Sequence, residues 1–308
     1  MASTRANAEV PPASGRHPVP SGEEPIVYTT LQAAEPARQW TPGFFSGPEG
    51  IPLAYWRSGA GWPLLLLHGT SADHRRWQPV LDALATHFTV YNVDRRGRGG
   101  SGDAPDYRLE HEYDDVVAMV ESFAVPIDII GHSYGGLITL EAAPRLEGRI
   151  RSMVLYESPM NVTDVPLASP EVIARMEAIL AAGDREEVVS TLMRDLVQVP
   201  EADLAHMRTL PVWQARLGAA PTIPRELRAV LEYRFHPERF RDLTTPTLLL
   251  LGGASPANVA AATHAVAAAL PNAQTVVLPG QGHVAMDSAP DLFMTEVLQF
   301  LRSDTELA

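Results

Sequence analysis

The sequence predicts a doubly wound α/β sheet with a helical segment inserted late in the chain. Three observations carry that expectation. Short apolar runs bounded by Gly or Pro alternate with longer amphipathic stretches from about residue 43 onward. Two of those runs, Leu64-Leu65-Leu66-Leu67 and Leu248-Leu249-Leu250-Leu251, show no polar alternation, as strands covered by helices on both faces do. Residues 160–242 hold helical patterns and no strand-like run.

The elements follow in order. Residues 1–42 carry Pro11-Pro12, Pro18, Pro20, Pro25 and Pro36 and no apolar run of signal-peptide length. They read as a Pro-rich leader, partly disordered or lying on the surface as an arm. Strands are expected at Pro63–His68, Phe88–Asp94, Ile127–Gly131, Arg151–Glu157, Thr247–Gly252 and Gln274–Leu278. Helical patterns separate them at Trp77–Thr86, Glu112–Phe123, Gly135–Leu146, Asn258–Leu270 and Leu292–Leu301. Strand–helix alternation of this kind builds a parallel sheet. The core is therefore expected over 43–159 and 243–308, with 160–242 as a helical cap carrying patterns at Pro170–Ala181, Arg185–Val197, Leu204–Leu217 and Pro224–Tyr233.

Composition excludes several classes of function. The 308 residues include no cysteine, which removes disulfide scaffolds, thiolate metal sites and thiol nucleophiles. The 24 Lys+Arg against 37 Asp+Glu leave a net charge of −13, unsuited to nucleic acid or an anionic membrane. No stretch is long and apolar enough to span a bilayer, and the expected location is the cytoplasm.

Gly131-His132-Ser133-Tyr134-Gly135 fits G-x-S-x-G, directly after an apolar run and directly before a helical pattern. A nucleophile elbow requires that context, because a sharp strand-to-helix turn lifts the serine hydroxyl above the sheet. Serine needs a base to become nucleophilic. Of ten histidines, His283 is the one on a Gly-bearing loop between the last strand pattern and the last helix. His68 ends a strand before Gly69 and reads as an organiser of the following loop. The backbone N–H groups of Tyr134, after the nucleophile, and Thr70, after the first buried strand, are the expected oxyanion donors.

These motifs together resemble the α/β-hydrolase superfamily from about residue 43 to 302. His68-Gly69 is similar to its oxyanion loop, and Asp94-Arg95-Arg96-Gly97-Arg98-Gly99-Gly100-Ser101 to its D-x-R-G-x-G-x-S turn. Gly131–Gly136 and Gly280-Gln281-Gly282-His283 resemble its elbow and histidine loop. The resemblance implies an eight-stranded, mostly parallel sheet and a serine–histidine–acid triad. One feature departs from the pattern. Most members place an Asp after the seventh strand, where this chain reads Leu251-Gly252-Gly253-Ala254-Ser255-Pro256-Ala257-Asn258. Glu157, at the end of the sixth strand, is the leading substitute, as in some members of the superfamily. Asp287 is the runner-up, and Asn258 could orient the imidazole only as a neutral group.

The expected activity is hydrolysis of an ester, lactone or thioester of a small-to-medium apolar acyl group through an acyl-serine, with no metal or organic cofactor. Met160, Met176, Met193, Met207, Trp213, Tyr233 and Phe235 suggest the apolar group, if part of the set faces the cleft. Haloalkane dehalogenases and epoxide hydrolases of this fold attack with Asp, and residue 133 is Ser. Carbon–carbon bond hydrolases, cofactor-free haloperoxidase-like enzymes and biosynthetic thioesterases share the layout. A carrier-protein-bound substrate would need a locally basic cap, for which Arg208, Arg216, Arg225, Arg228, Arg234 and Arg239 are available. A ligand receptor on the same fold is the non-enzymatic alternative.

Overall fold

The computed structural model describes residues 38–303, apart from 163–167, 198, 200 and 211. Eight strands form one sheet: β1 (Thr41–Ser46), β2 (Pro52–Ser58), β3 (Pro63–Leu67), β4 (Thr89–Val93), β5 (Ile127–His132), β6 (Ile150–Tyr156), β7 (Thr247–Gly252) and β8 (Ala273–Leu278). Their spatial order is β1-β2-β4-β3-β5-β6-β7-β8. β1 and β2 pair antiparallel with each other, and β2 antiparallel with β4. Every later pairing is parallel. The expected leader over 1–42 falls mostly outside the described residues. Its last two positions, Thr41 and Pro42, already belong to β1.

Helices cover both faces, as the unalternating runs require. α1 (Gln78–Leu84), α2 (Leu109–Glu121) and α3 (Tyr134–Ala142) lie between the early strands. Between β6 and β7 come α4 (Pro170–Ala181), α5 (Arg185–Thr191), α6 (Glu201–Met207), α7 (Val212–Ala219) and α8 (Ile223–Glu232). α9 (Ala257–Ala269), α10 (Ala285–Ser288) and α11 (Pro290–Ser303) complete the chain. The expected helix Leu204–Leu217 is two helices, because Pro211 has no N–H to donate and restricts the residue before it.

The period-2 geometry of a strand divides each leucine run between two layers. Leu65 and Leu67 of β3 join Val116, Val120, Leu137 and Val266 from α2, α3 and α9. Leu64 and Leu66 face the other way, onto Val80 and Leu84 of α1 and Phe293 and Val297 of α11. All four leucines are fully buried, each contributing roughly 1.5–3 kcal/mol of transfer free energy. The inserted helices carry a third cluster, in which Met176, Val188, Met193, Trp213 and Ile223 pack together. Among the described residues no helix is long and apolar enough to cross a membrane.

Candidate active site

The parallel register brings the site together. β5 and β6 pair His132 with Tyr156, so Ser133 and Glu157 are the next residues on neighbouring strand ends. Ser133 turns the chain sharply at φ 53°, and its N–H donates to the Tyr156 carbonyl at 2.8 Å. Gly131 and Gly135 permit that turn. A Cβ on Gly135 would lie 2.2 Å from the Leu67 carbonyl oxygen, and one on Gly131 would lie 2.7 Å from the Gly135 carbonyl oxygen. No larger residue fits either contact. Glu157 turns with a left-handed backbone too, at φ 48°, as does Ser71, two residues after Gly69, at φ 57°. Each such residue costs about 1–3 kcal/mol unless its surroundings hold it. Three of the four non-glycine residues in this conformation, among the described residues, therefore gather at the carboxyl edge of β3, β5 and β6.

Glu157 is buried, and its two oxygens have separate tasks. Oε1 accepts from the Gly252 N–H at 2.8 Å and the Ser255 hydroxyl at 2.5 Å. Oε2 faces His283 Nδ1 at 2.6 Å. A carboxylate can only accept, so Nδ1 carries the hydrogen and Nε2 keeps its lone pair. That is the tautomer a general base requires. The segment that lacks the usual Asp thus supplies two donors that hold the Glu157 carboxylate in place. Asp287, the other expected acid, is occupied elsewhere: Arg76 Nη2 donates to its Oδ2.

His132 and Tyr156, neither of them an expected site residue, hold the histidine loop. His132 is 4% exposed, and its Nε2–H donates to the His283 carbonyl at 2.8 Å. Burial first, and the neighbouring His283 second, lower its pKa well below the ordinary imidazole value and keep it neutral. The Tyr156 hydroxyl donates to the Gly282 carbonyl and accepts from the Ala285 N–H at 3.1 Å. Burial raises the Tyr156 pKa above that of an ordinary phenol, so it remains a donor. Tyr156→Phe strands both partners, and the expected result is a stability loss of about 1–3 kcal/mol in chemical denaturation, accompanied by a lower kcat. Unchanged stability and turnover would show that the loop is held by other means.

The proposed oxyanion donors flank Ser133. Tyr134 is the first residue of α3, so its N–H has no acceptor within the helix. A Cβ built on Gly69 would lie 2.8 Å from Ser133 Cβ and 3.3 Å from its Oγ, which places the chain leading into Thr70 against the Ser133 side chain. His68 organises that loop, as expected. Its Nδ1 meets the Gly69 carbonyl at 2.9 Å and its Nε2 accepts from the Arg95 N–H at 3.2 Å. Burial, followed by the Arg95 charge, holds its pKa well below normal.

Other expectations resolve differently. Met176, Met193, Met207 and Trp213 pack within the inserted helices, and Met160, Tyr233 and Phe235 pack on the sheet core. Packing engages every member of the set, with Met207 and Phe235 only partly buried. Asp73, His74 and Asp94 bring possible metal-ligand atoms within 4.8 Å of one another. Their polar atoms are already engaged: Arg75 on Asp73, and the His74 ring and the His74 and Gly100 N–H groups on Asp94.

With this geometry in hand, comparison with known proteins is decisive about family. Residues 64–296 match the model of the alpha/beta hydrolase family. The chain belongs to that family. It is 26% identical over 268 residues to the 2-(acetamidomethylene)succinate hydrolase of Mesorhizobium japonicum, covering 82% of this chain and 92% of that one. It is 27% identical over 280 residues to the pimeloyl-[acyl-carrier protein] methyl ester esterase of Aliivibrio salmonicida, covering 82% and 97%. Among solved structures, an alpha/beta hydrolase from Sphaerobacter thermophilus superposes with a TM-score of 0.73 at 34% identity, over 85% of this chain and 100% of that one.

Proposed function

We propose that the protein is a serine hydrolase that cleaves a carboxylic ester, lactone or thioester through an acyl-serine intermediate. The observation that carries this reading is the His283–Glu157 pair fixed on the strand edge that bears the Ser133 elbow. His283 Nε2 removes the Ser133 proton as Oγ attacks the acyl carbon. The oxyanion that forms is held by the Thr70 and Tyr134 N–H groups, each typically worth about 3 kcal/mol in the transition state. His283 then protonates the leaving group, Glu157 stabilises the imidazolium, and a water deprotonated by His283 releases the acid. The helices within 160–242 act as a cap over this edge. Every step uses this chain's own side chains and backbone, and none calls for a metal or an organic cofactor.

The activities of its relatives support hydrolysis and widen the range of bonds. A small-molecule acyl substrate fits best. A carrier-protein-bound substrate, suggested by the pimeloyl-[acyl-carrier protein] relative, is the second reading. It gains little from the arginines of the insert and its flank: Arg208, Arg225, Arg228 and Arg239 each pair with a carboxylate of this chain.

A fluorophosphonate probe tests the mechanism directly. The expected result is a single adduct, mapped to Ser133 by peptide mass, with a burst of p-nitrophenol on p-nitrophenyl butyrate. A chain that takes up no adduct and shows no burst is a receptor rather than a serine hydrolase.

A further inference from the structure

A buried ionic cluster lies directly behind the proposed oxyanion donors, and the mechanism above does not use it. Glu226 projects from α8 of the insert and is completely buried. Its Oε1 accepts from Arg95 Nη2 and, at 2.6 Å, from Arg98 Nη2. Burial alone would raise its pKa, but the Arg95 and Arg98 guanidiniums outweigh that and keep it ionised. The Thr70 hydroxyl lies beside the same carboxylate and also favours the charged form.

Arg95 is the link to both donors. Its backbone N–H and its NH1 reach His68, at Nε2 (3.2 Å) and the carbonyl oxygen (3.4 Å), and His68 in turn meets the Gly69 carbonyl. Its guanidinium carbon lies 4.6 Å above the centre of the Tyr134 ring. The Tyr134 hydroxyl meets that of Tyr107 at 2.6 Å, and both Tyr107 and Arg95 bond Glu112. Arg95 thus touches the loop that leads to one donor and the ring of the residue whose backbone N–H is the other. Glu226 is the insert's carboxylate on that arginine.

We propose that Glu226 is a positioning residue for the oxyanion hole, through which the inserted helices hold Arg95 against the Thr70 loop and Tyr134. Oxyanion stabilisation depends on donors fixed before charge develops. Seating α8 on the Asp94–Ser101 turn then sets the two donors, so the covered site and the competent site are one state. This inference rests on the assignment of Thr70 and Tyr134 as oxyanion donors.

The test compares kcat and KM of Glu226→Gln for a p-nitrophenyl ester and its thiono analogue, with thermal melting and Ser133→Ala alongside. Sulfur accepts hydrogen bonds poorly, so an intact hole prefers the oxygen ester. Glu226→Gln is expected to lower kcat for the oxygen ester about 10- to 100-fold, a part of the roughly 100- to 1,000-fold that one lost donor costs. KM should change less than about threefold, and the oxygen-over-sulfur preference should fall by most of the same factor. Glu226→Asp, which keeps the charge, should recover part of the loss. If Glu226→Gln leaves Arg98 uncompensated and fails to fold, the double variant Glu226→Met with Arg98→Met removes both charges, and the same readouts apply.

A folded variant with unchanged kcat and unchanged oxygen preference overturns the proposal. So does a rise in KM alone, which would make Glu226 only part of the substrate cover. Ser133→Ala separates the two levels of argument. If it abolishes turnover while Glu226→Gln is silent, only the positioning role fails. If Ser133→Ala retains full turnover, the serine mechanism fails and the positioning role with it.

Discussion

Ser133→Ala is expected to lower kcat for the best p-nitrophenyl ester about a million-fold, with KM changed little. The size follows from how the site divides its work. Without Oγ there is no covalent path, and what remains is oxyanion stabilisation and binding, which together leave about 10³–10⁴-fold over water. His283→Ala should fall to the same floor, because a serine without its base is as inert as a base without its serine. The double variant should then be no slower than either single one. The fold should persist, because Ser133 adopts its left-handed backbone within a turn held by Gly136 N–H to Ser133 O at 2.8 Å and Ser133 N–H to Tyr156 O at 2.8 Å. Neither bond involves the hydroxyl. Multiplicative losses in the double variant would show that the two side chains do not act as a unit.

The sequence made much of this geometry legible, and the limits have physical causes. The parallel core was readable because strands buried on both faces need unbroken apolar runs, and Leu64–Leu67 and Leu248–Leu251 provide them. β1 and β2 were not individually readable. They pair antiparallel at one side of the sheet and are half-exposed, with Phe44 63% exposed, so they carry no continuous apolar signature. Ser133 and His283 announce themselves because the chemistry proposed for them demands a Gly-bearing turn next to a strand. Glu157 was reachable only through the resemblance to the α/β-hydrolase superfamily, whose usual acid position holds no carboxylate here.

Residues that act through tertiary contacts left no local mark. His132 looks like a bystander in sequence, yet its Nε2 spans 151 residues to hold the His283 carbonyl. Glu226 lies in a helical pattern where a glutamate normally faces solvent. Only the fold reveals that it is completely buried between Arg95 and Arg98. The insert's methionines are the opposite case, legible from local spacing. Met176, Met193 and Met207 have the spacing of a helix interior, and a helix interior is what they build.

Glu157→Gln is the second large effect, expected to reduce kcat about 10⁴-fold while leaving the fold intact. An amide is nearly the same size and can still accept the Gly252 N–H and Ser255 hydroxyl through its oxygen. What changes is the atom facing His283. Where Oε2 now accepts from Nδ1 at 2.6 Å, an NH2 group would donate. Nδ1 must then accept, so the hydrogen moves to Nε2 and the lone pair needed for the Ser133 proton is lost. The variant also removes the charge that stabilises the imidazolium. Asp287→Asn is the contrasting case, because Arg76 rather than His283 engages that carboxylate. Its expected effect is less than about tenfold on kcat, with a stability loss from leaving a 7%-exposed arginine without its partner. Steady-state turnover of the two variants, measured with their urea midpoints, decides between the two acids. Near-full activity in Glu157→Gln with collapse in Asp287→Asn would reverse the assignment and require His283 to reorient toward Asp287.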